Sequence, residues 1–447
     1  MRLWPTYDTV WRWHFYAGLF CIPFVLWLSL TGSIYAFRPQ IERFIDRPYA
    51  HLAVTRPATA AAQAEAAVRA VPGSELHRYE LPTTPDQATQ IIVGKGGVET
   101  RVYVHPQTLQ ILKTVGEQDR LMQIILRLHG ELLIGNTGSY IVELAASWTI
   151  VMIVSGLFLW WPRGAGMGGI VYPRLRSGGR RFWRDIHGVT GFWVSFFALF
   201  LLLSGLPWAV SWGSYLKAVR TVVEGSPVKQ DWPTGSESEK ASAATAAMMG
   251  EHAEHGGMQM AHPAVSYVAL DRMVATVRPL ALAAPVLISP PTAPDQPWTA
   301  KSDAADRPQR TDLTLNPRTG VVLSRKDFAQ RRLIDRLVGY GVAVHEGQLF
   351  GLANQLLNVM TGVGLTLLSV SSVILWWRRR PEATLGAPPA RPREGLAIGF
   401  FVVVAGIGVL LPLFGVSLLV VIVVERLVLR RMPGVGRWLG LRGFAVR

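Results

Sequence analysis

Five apolar blocks constrain the fold of this chain more than any other feature. A helix needs about 20 apolar residues to cross a bilayer. Four blocks reach that length: Phe15–Phe37, Tyr140–Trp161, Val189–Trp212 and Leu356–Trp377. A fifth, Leu396–Val424, is interrupted at Pro412. In lipid every backbone N–H and C=O must be satisfied within the spanning segments themselves, which leaves helices for runs of this kind. The first block is too long for a signal-peptide core and lacks a clear small-residue cleavage site, so it reads as an anchor.

The short segments around the blocks carry the positive charge. The formal net charge is +15. Pro162–Ile186 holds six Arg and one acid, Arg378–Gly395 five Arg and two acids, and Glu425–Arg447 six Arg and one acid. The two long stretches are almost balanced, with eleven basic and ten acidic residues over Arg38–Gly138 and fifteen and fourteen over Gly213–Gln355. The positive-inside rule explains this distribution without any nucleic acid. It predicts a cytoplasmic N-terminus, Arg-rich loops and tail, and places both long stretches outside. A single crossing by the fifth block would carry six Arg outward. A hairpin at Leu411-Pro412-Leu413 is predicted instead, although each half, about 16 residues, is short for a full crossing at about 1.5 Å per residue. The single cysteine, Cys21, excludes a disulfide framework, a Cys-based zinc or iron–sulfur site and covalent haem attachment.

The chain also repeats itself. His14 is followed by Gly18 and Thr31-Gly32, and His187 by Gly191 and Ser204-Gly205, at offsets of 4, 17 and 18 in both copies. His129 is followed by Gly135 and Trp160-Trp161, and His345 by Gly351 and Trp376-Trp377, at offsets of 6, 31 and 32 in both. The predicted fold class is a polytopic α-helical membrane protein made of two parallel span–external loop–span repeats plus a C-terminal hydrophobic hairpin. Because both repeats start and finish inside, their axis lies along the membrane normal. The predicted segments are 1–37 for the N-terminus and first span, 38–138 outside, 139–161 for the second span and 162–186 for the first Arg loop. They continue with 187–212 for the third span, 213–355 outside, 356–377 for the fourth span, 378–395 for a cytoplasmic loop, 396–428 for the hairpin and 429–447 for the tail.

The external stretches repeat too. The first has a helix-like, Ala-rich run at Ala60–Val71 and strand-like runs at Thr89–Val93 and Arg101–His105, followed by Pro106-Gln107-Thr108-Leu109. The second has Leu313–Leu315 followed by Pro317-Arg318-Thr319-Gly320. Pro-x-Thr between two strand-like runs predicts a hairpin turn, and each stretch reads as a small α+β domain. The second is longer, with an insert spanning 236–262 that carries Met248, Met249, His252, His255, Met258, Met260 and His262. Thioether and imidazole suit copper, notably Cu(I); the competing reading is a plain solvated loop.

The motifs Arg12-Trp13-His14-Phe15-Tyr16-Ala17-Gly18, Leu128-His129-Gly130-Glu131 and His345-Glu346-Gly347, with the Pro-x-Thr-Gly hairpin, resemble the PepSY-associated transmembrane family. That family includes iron-regulated inner-membrane proteins and siderophore-iron reductases. The resemblance implies PepSY-like periplasmic domains, a bacterial inner (cytoplasmic) membrane and ferric iron in a siderophore as the acceptor. The first hairpin departs from the family pattern, with Leu109 where Gly is usual, and the Met/His insert lies outside it.

The four repeated histidines carry the candidate chemistry. His14 and His187 open the first and third spans near the cytoplasmic face, and His129 and His345 precede the second and fourth near the outer face. These are two pairs at two depths, one His per repeat in each, as bis-His ligation of two b haems requires. One haem with one structural pair is the alternative for the ligands. Arg12 and Arg184 are candidate propionate partners, although the positive-inside rule also accounts for them. The Trp pairs read as aromatic-belt anchors. Glu143 lies inside a span, where a carboxylate is costly unless paired or wet. Gly164-Ala165-Gly166-Met167-Gly168-Gly169 imitates a dinucleotide turn but follows a membrane span rather than a strand of a βαβ unit. No bound nucleotide is expected, so electrons would come from quinol or a separate flavoprotein. The competing function is a non-catalytic membrane protein that binds a peptide, a protease or a metal outside and uses its histidines structurally.

Overall fold

The computed structural model describes residues 6–161, 167–225, 267–293, 296–388 and 398–441. Its helices are α1 (Tyr7–Ala36), α2 (Arg38–Asp46), α3 (Ala60–Ala70), α4 (Leu121–Glu131), α5 (Gly135–Trp160), α6 (Gly179–Gly205) and α7 (Val210–Glu224). They continue with α8 (Tyr267–Val277), α9 (Leu333–His345), α10 (Gly351–Arg379), α11 (Ile398–Leu410), α12 (Pro412–Leu427) and α13 (Pro433–Trp438). The strands are β1 (Glu75–Leu81), β2 (Thr89–Lys95), β3 (Val98–Val104), β4 (Ile111–Gly116), β5 (Val286–Ser289), β6 (Trp298–Ser302), β7 (Thr311–Leu315) and β8 (Val322–Asp327). The chain forms two units, a membrane body of Met1–Ser33, Leu128–Ser236 and Leu356–Arg447 and a sheet body of Ile34–Arg127 and Glu237–Gln355.

Five helical stretches among the described residues are long and apolar enough to cross a membrane: Tyr7–Ala36, Gly135–Trp160, Gly179–Trp208, Gly351–Arg379 and Pro412–Arg431. The first four overlap the predicted blocks but start earlier, because their polar leading turns are helical without being apolar, and the first three end before their blocks do. His14 and His187 therefore sit about two turns inside their helices. The fifth block breaks at Leu411, where the helix gives way before Pro412. The chain folds back there, and a Cβ on Gly415 would stand 3.0 Å from Gly408 O. The apolar run preceding the break, Phe401–Leu410, is shorter than a span.

Close approach through small residues holds this body together, as expected where lipid removes the hydrophobic drive between helices. At Gly362 on α10 a Cβ would come within 2.7 Å of Ser33 Oγ on α1, and at Gly364 within 2.5 Å of Val194 Cγ1 on α6. On α5, Trp148 packs edge-on against Phe414 of α12 at 5.0 Å and donates to Ser417 Oγ at 3.0 Å.

The sheet body is one antiparallel sheet of order β4-β3-β2-β1-β5-β6-β7-β8. Each of the two long stretches between spans supplies a four-stranded meander, and the two join where Tyr79, Glu80 and Leu81 of β1 pair with Ile288, Leu287 and Val286 of β5. Two separate domains were expected. The strands pair continuously instead, and α3 and α8 share one core with Ile91, Val93, Val102, Leu270, Met273, Ile288, Leu313 and Leu315. The physical reason is edge protection: β1 and β5 would otherwise each present unpaired backbone groups. Burial alternates along β6 and β7 with the strand period. The first turn of α3 is held by Thr59 Oγ1, which accepts from Ala62 N, and by Asp271 of α8, which accepts from Ala61 N at 2.9 Å.

Both Pro-x-Thr turns are β-hairpin turns with the same hydrogen bonds, Leu109 N to His105 O and Gly320 N to Asn316 O. Leu109 takes a left-handed φ of 62° where the second repeat has Gly320 at 74°. That conformation costs a Leu roughly 1–2 kcal/mol, and the Leu109 side chain packs on the core in return.

Charges in this body are paired in a chain. Arg101 is buried and reaches Glu80 at 2.6 Å and Glu117 at 2.8 Å. Arg120 bridges Glu117 at 2.7 Å and Glu42 at 2.8 Å, and Glu42 also takes Arg38 at 3.2 Å. Burial alone would raise the Glu117 carboxyl, but the hydrogen bonds and charges of Arg101 and Arg120 outweigh it and hold it down at about 2. Glu80, with burial dominant, moves the other way.

Candidate functional site

His14 on α1 and His187 on α6 stand at matched positions of the two repeats. Both rings are half-buried. His14 turns toward α5, with Nδ1 3.0 Å from Ser155 Oγ. A Cβ on Gly156 would lie 3.0 Å from its Cε1, so glycine there leaves room for the imidazole. The Ser155 hydroxyl donates to Met152 O at 3.0 Å. His187 turns toward α10 in the same manner. Its Nδ1 lies 3.2 Å from Ser371 Oγ and 3.2 Å from Leu368 O, and the Ser371 hydroxyl donates to Leu368 O at 3.0 Å.

His129, near the end of α4, follows the same pattern. Its Nδ1 lies 3.0 Å from Thr31 Oγ1 on α1, and that hydroxyl donates to Trp27 O at 2.8 Å. Gly32 backs the ring, since a Cβ there would lie 3.1 Å from the His129 Cε1. Gly32, one of the repeated landmarks, thus makes room for an imidazole. His345 ends α9 in the sheet body. The next residue, Glu346, pairs with Arg307 at 3.3 Å, and Asn354 Nδ2 donates to Val344 O at 2.9 Å.

The other sequence candidates have structural partners. Arg12 donates to Pro388 O at 2.8 Å and to Gly440 O at 2.6 Å, fastening the tail beside α1. A propionate at Arg12 would compete with both carbonyls. Arg184 pairs with the buried Asp185 at 3.2 Å, which Arg174 grips at 2.7 and 2.9 Å. Gly169 of the glycine-rich run lies against that ion pair with φ of 80°, and a Cβ would stand 2.3 Å from Arg174 Nη2. The run is thus a support for a salt bridge; its first three residues lie outside the described residues. Glu143 is buried, and its Oε2 accepts from Ser211 N at 3.0 Å and Trp212 N at 3.2 Å, which caps α7. Trp160 Nε1 donates to Ile170 O and Trp376 Nε1 to Leu385 O, so equivalent tryptophans fasten the loops that follow their spans. Met248, Met249, His252, His255, Met258, Met260 and His262 lie outside the described residues.

Sequence reasoning missed Ser155 and Ser371. The signal was present, because each stands 26 residues after the His that precedes its span. Membrane serines usually bond their own helix, so neither attracts notice until the imidazole above it is seen.

No curated protein matches the chain. A family model described as the PepSY-associated TM region matches residues 11–379. With membrane-spanning helices and a sheet body assembled from the segments between them, the chain belongs to the PepSY-associated transmembrane family.

Proposed function

We propose that this membrane protein carries two b haems and conducts electrons across the bilayer to ferric iron held in a siderophore outside. The observation that carries the reading is the His14/His187 pair. Two imidazoles stand at matched positions on different helices, each with Nδ1 engaged, which leaves Nε2 as the nitrogen for a shared iron. A metal-bound imidazole characteristically has its second nitrogen hydrogen-bonded, which fixes its orientation. The donor set fits the group: neutral imidazole is its ordinary axial ligand, and Gly156 supplies clearance beside the ring. Haem bound by such a pair supplies a one-electron couple inside an otherwise apolar bundle.

The chain's own residues then hold and insulate. Helices α5 and α10 fix the rings of His14 and His187, and Thr31 with Gly32 does the same for His129. His129 and His345 form the second ligand pair in this reading, supported by their shared offsets to Gly, Trp and Trp. The charge distribution supports residues 38–138 and 213–355 outside, with the Arg-rich segments in the cytoplasm of a bacterial inner membrane. The short loops hold no nucleotide-binding motif, which favours quinol or a separate flavoprotein as donor. The siderophore rests on the family resemblance, and reduction to Fe(II) would weaken hard-oxygen chelation and release the metal.

The test is the reduced-minus-oxidised spectrum of the purified full-length protein with haem counted by pyridine haemochrome. Two low-spin b haems per chain are expected. A count near zero would end the proposal, and a count near one would leave a single ligand pair.

A further inference from the structure

We infer that Ser155 and Ser371 are positioning residues that fix the tautomer and donor strength of His14 and His187, and so set the reduction potential of the haem this pair would hold. The inference rests on the haem reading above. A hydroxyl has a single hydrogen. Ser155 places its own on Met152 O and Ser371 on Leu368 O, each at 3.0 Å. What remains on each Oγ toward the ring is a lone pair, so the imidazole nitrogen facing it, 3.0 Å away at His14 and 3.2 Å at His187, must be the donor. Leu368 O, 3.2 Å from the His187 Nδ1, can only accept and demands the same hydrogen. A neutral imidazole with hydrogen on Nδ1 carries its lone pair on Nε2. The serines thus choose which nitrogen becomes the ligand.

Back-bonding alone does not single these serines out, since Ser369 and Thr361 also donate to carbonyls of their own helix. What does is the repeated chain of imidazole, hydroxyl and carbonyl. The histidines are 173 residues apart and the serines 216, with Met152 and Leu368 at that same 216 spacing, so the chain is rebuilt between non-adjacent segments in both repeats. A serine kept only to fill space has no reason to recur with both hydrogen bonds. Accepting from Nδ1–H makes the ring a stronger donor at Nε2, which favours ferric over ferrous iron.

The experiment is a redox titration of haem absorbance in the purified full-length protein, comparing the unaltered chain with Ser155→Ala, Ser371→Ala, Ser155→Thr and Ser371→Thr. Ser155→Ala is expected to lower the ferric-over-ferrous preference about tenfold, an upward shift of about 59 mV for one electron. Ser371→Ala should shift it less, because Leu368 O still accepts from His187. Both Thr variants keep a hydroxyl and should titrate as the unaltered chain does. The second haem should not move in any of them. An Ala variant that loses one haem while its Thr counterpart keeps it also supports the inference. Loss in both Ala and Thr would overturn it, because space rather than the hydroxyl would then matter. Unchanged potentials with both haems present would overturn the serine assignment and leave the haem reading standing. An unaltered protein without haem would overturn both.

Discussion

The membrane body and the sheet body place polar and apolar groups on opposite terms. In the sheet body Ile91, Val93, Leu313 and Leu315 are buried together, and the buried charge Arg101 is paired on two sides. In the membrane body the apolar residues of α12, including Val416, Leu419, Val420 and Val423, are exposed, while Thr31, Glu143, Ser147, Thr149 and Ser371 are buried. Lipid solvates the first set as well as another helix would. The second set has nowhere else to satisfy its hydrogen bonds. The contrast teaches where specificity lies. Apolar complementarity builds the sheet body, whereas hydroxyls, glycine clearances and imidazoles decide how the membrane helices meet.

Replacing Arg101 with Met should strike hardest. It strands Glu80 in a buried site and leaves Glu117 to Arg120 alone, and removing one partner of such a set costs about 3–5 kcal/mol. Amide hydrogen exchange along β2 and β3 in the full-length protein should accelerate accordingly. Unchanged protection would mean that the network contributes little and that the sheet rests on apolar contacts alone.

The same substitution made in each body sharpens the contrast. Leu313→Ala opens a hole in the shared core and should cost about 2–5 kcal/mol. Leu419→Ala, on the exposed face of α12, should stay within about 0.5 kcal/mol. Thermal denaturation in detergent compares them, and equal losses would break the distinction.

Acid should weaken the sheet body before the membrane body. Glu117 is held at about 2 against an ordinary value of 4.5. A carboxyl depressed in the folded state contributes stability that is complete above 4.5 and is lost as pH falls toward 2. A denaturation midpoint that declines over that window, and declines less in Glu117→Gln, is the expected result. A flat profile would remove Glu117 from the account.

The smallest effect is expected at Glu143. Without its carboxylate the Ser211 and Trp212 N–H groups lose an acceptor, and Glu143→Ala should cost about 0.5–2 kcal/mol, the range of an N-cap. Exchange should accelerate at those two amides and not along α5. Conversely, loss of electron transfer in Glu143→Gln, with both haems retained, would give this residue a role beyond capping.

The spans were legible because crossing lipid demands long apolar blocks, and the Pro-x-Thr hairpins because turn chemistry is local. The union of the two meanders was not legible. The β1–β5 pairing joins residues some two hundred positions apart, and nothing local in Glu75–Leu81 or Val286–Ser289 names a partner. His14 and His187 stood out through their repeat, yet the serines beside them did not, because a back-bonded Ser and a ring-holding Ser look alike in sequence. Helix starts were read late for a simple reason: Arg12-Trp13-His14 is helical without being apolar.

The central claim is that His14 and His187 share one iron, and haem counting across three variants tests it most directly. His14→Ala, His187→Ala and the double substitution are each expected to retain one of two haems with the same residual spectrum, because either ligand suffices to lose the shared group and the second loss removes nothing more. Full haem content in the double variant, or a loss in the double that is the sum of two distinct losses in the singles, would contradict the account.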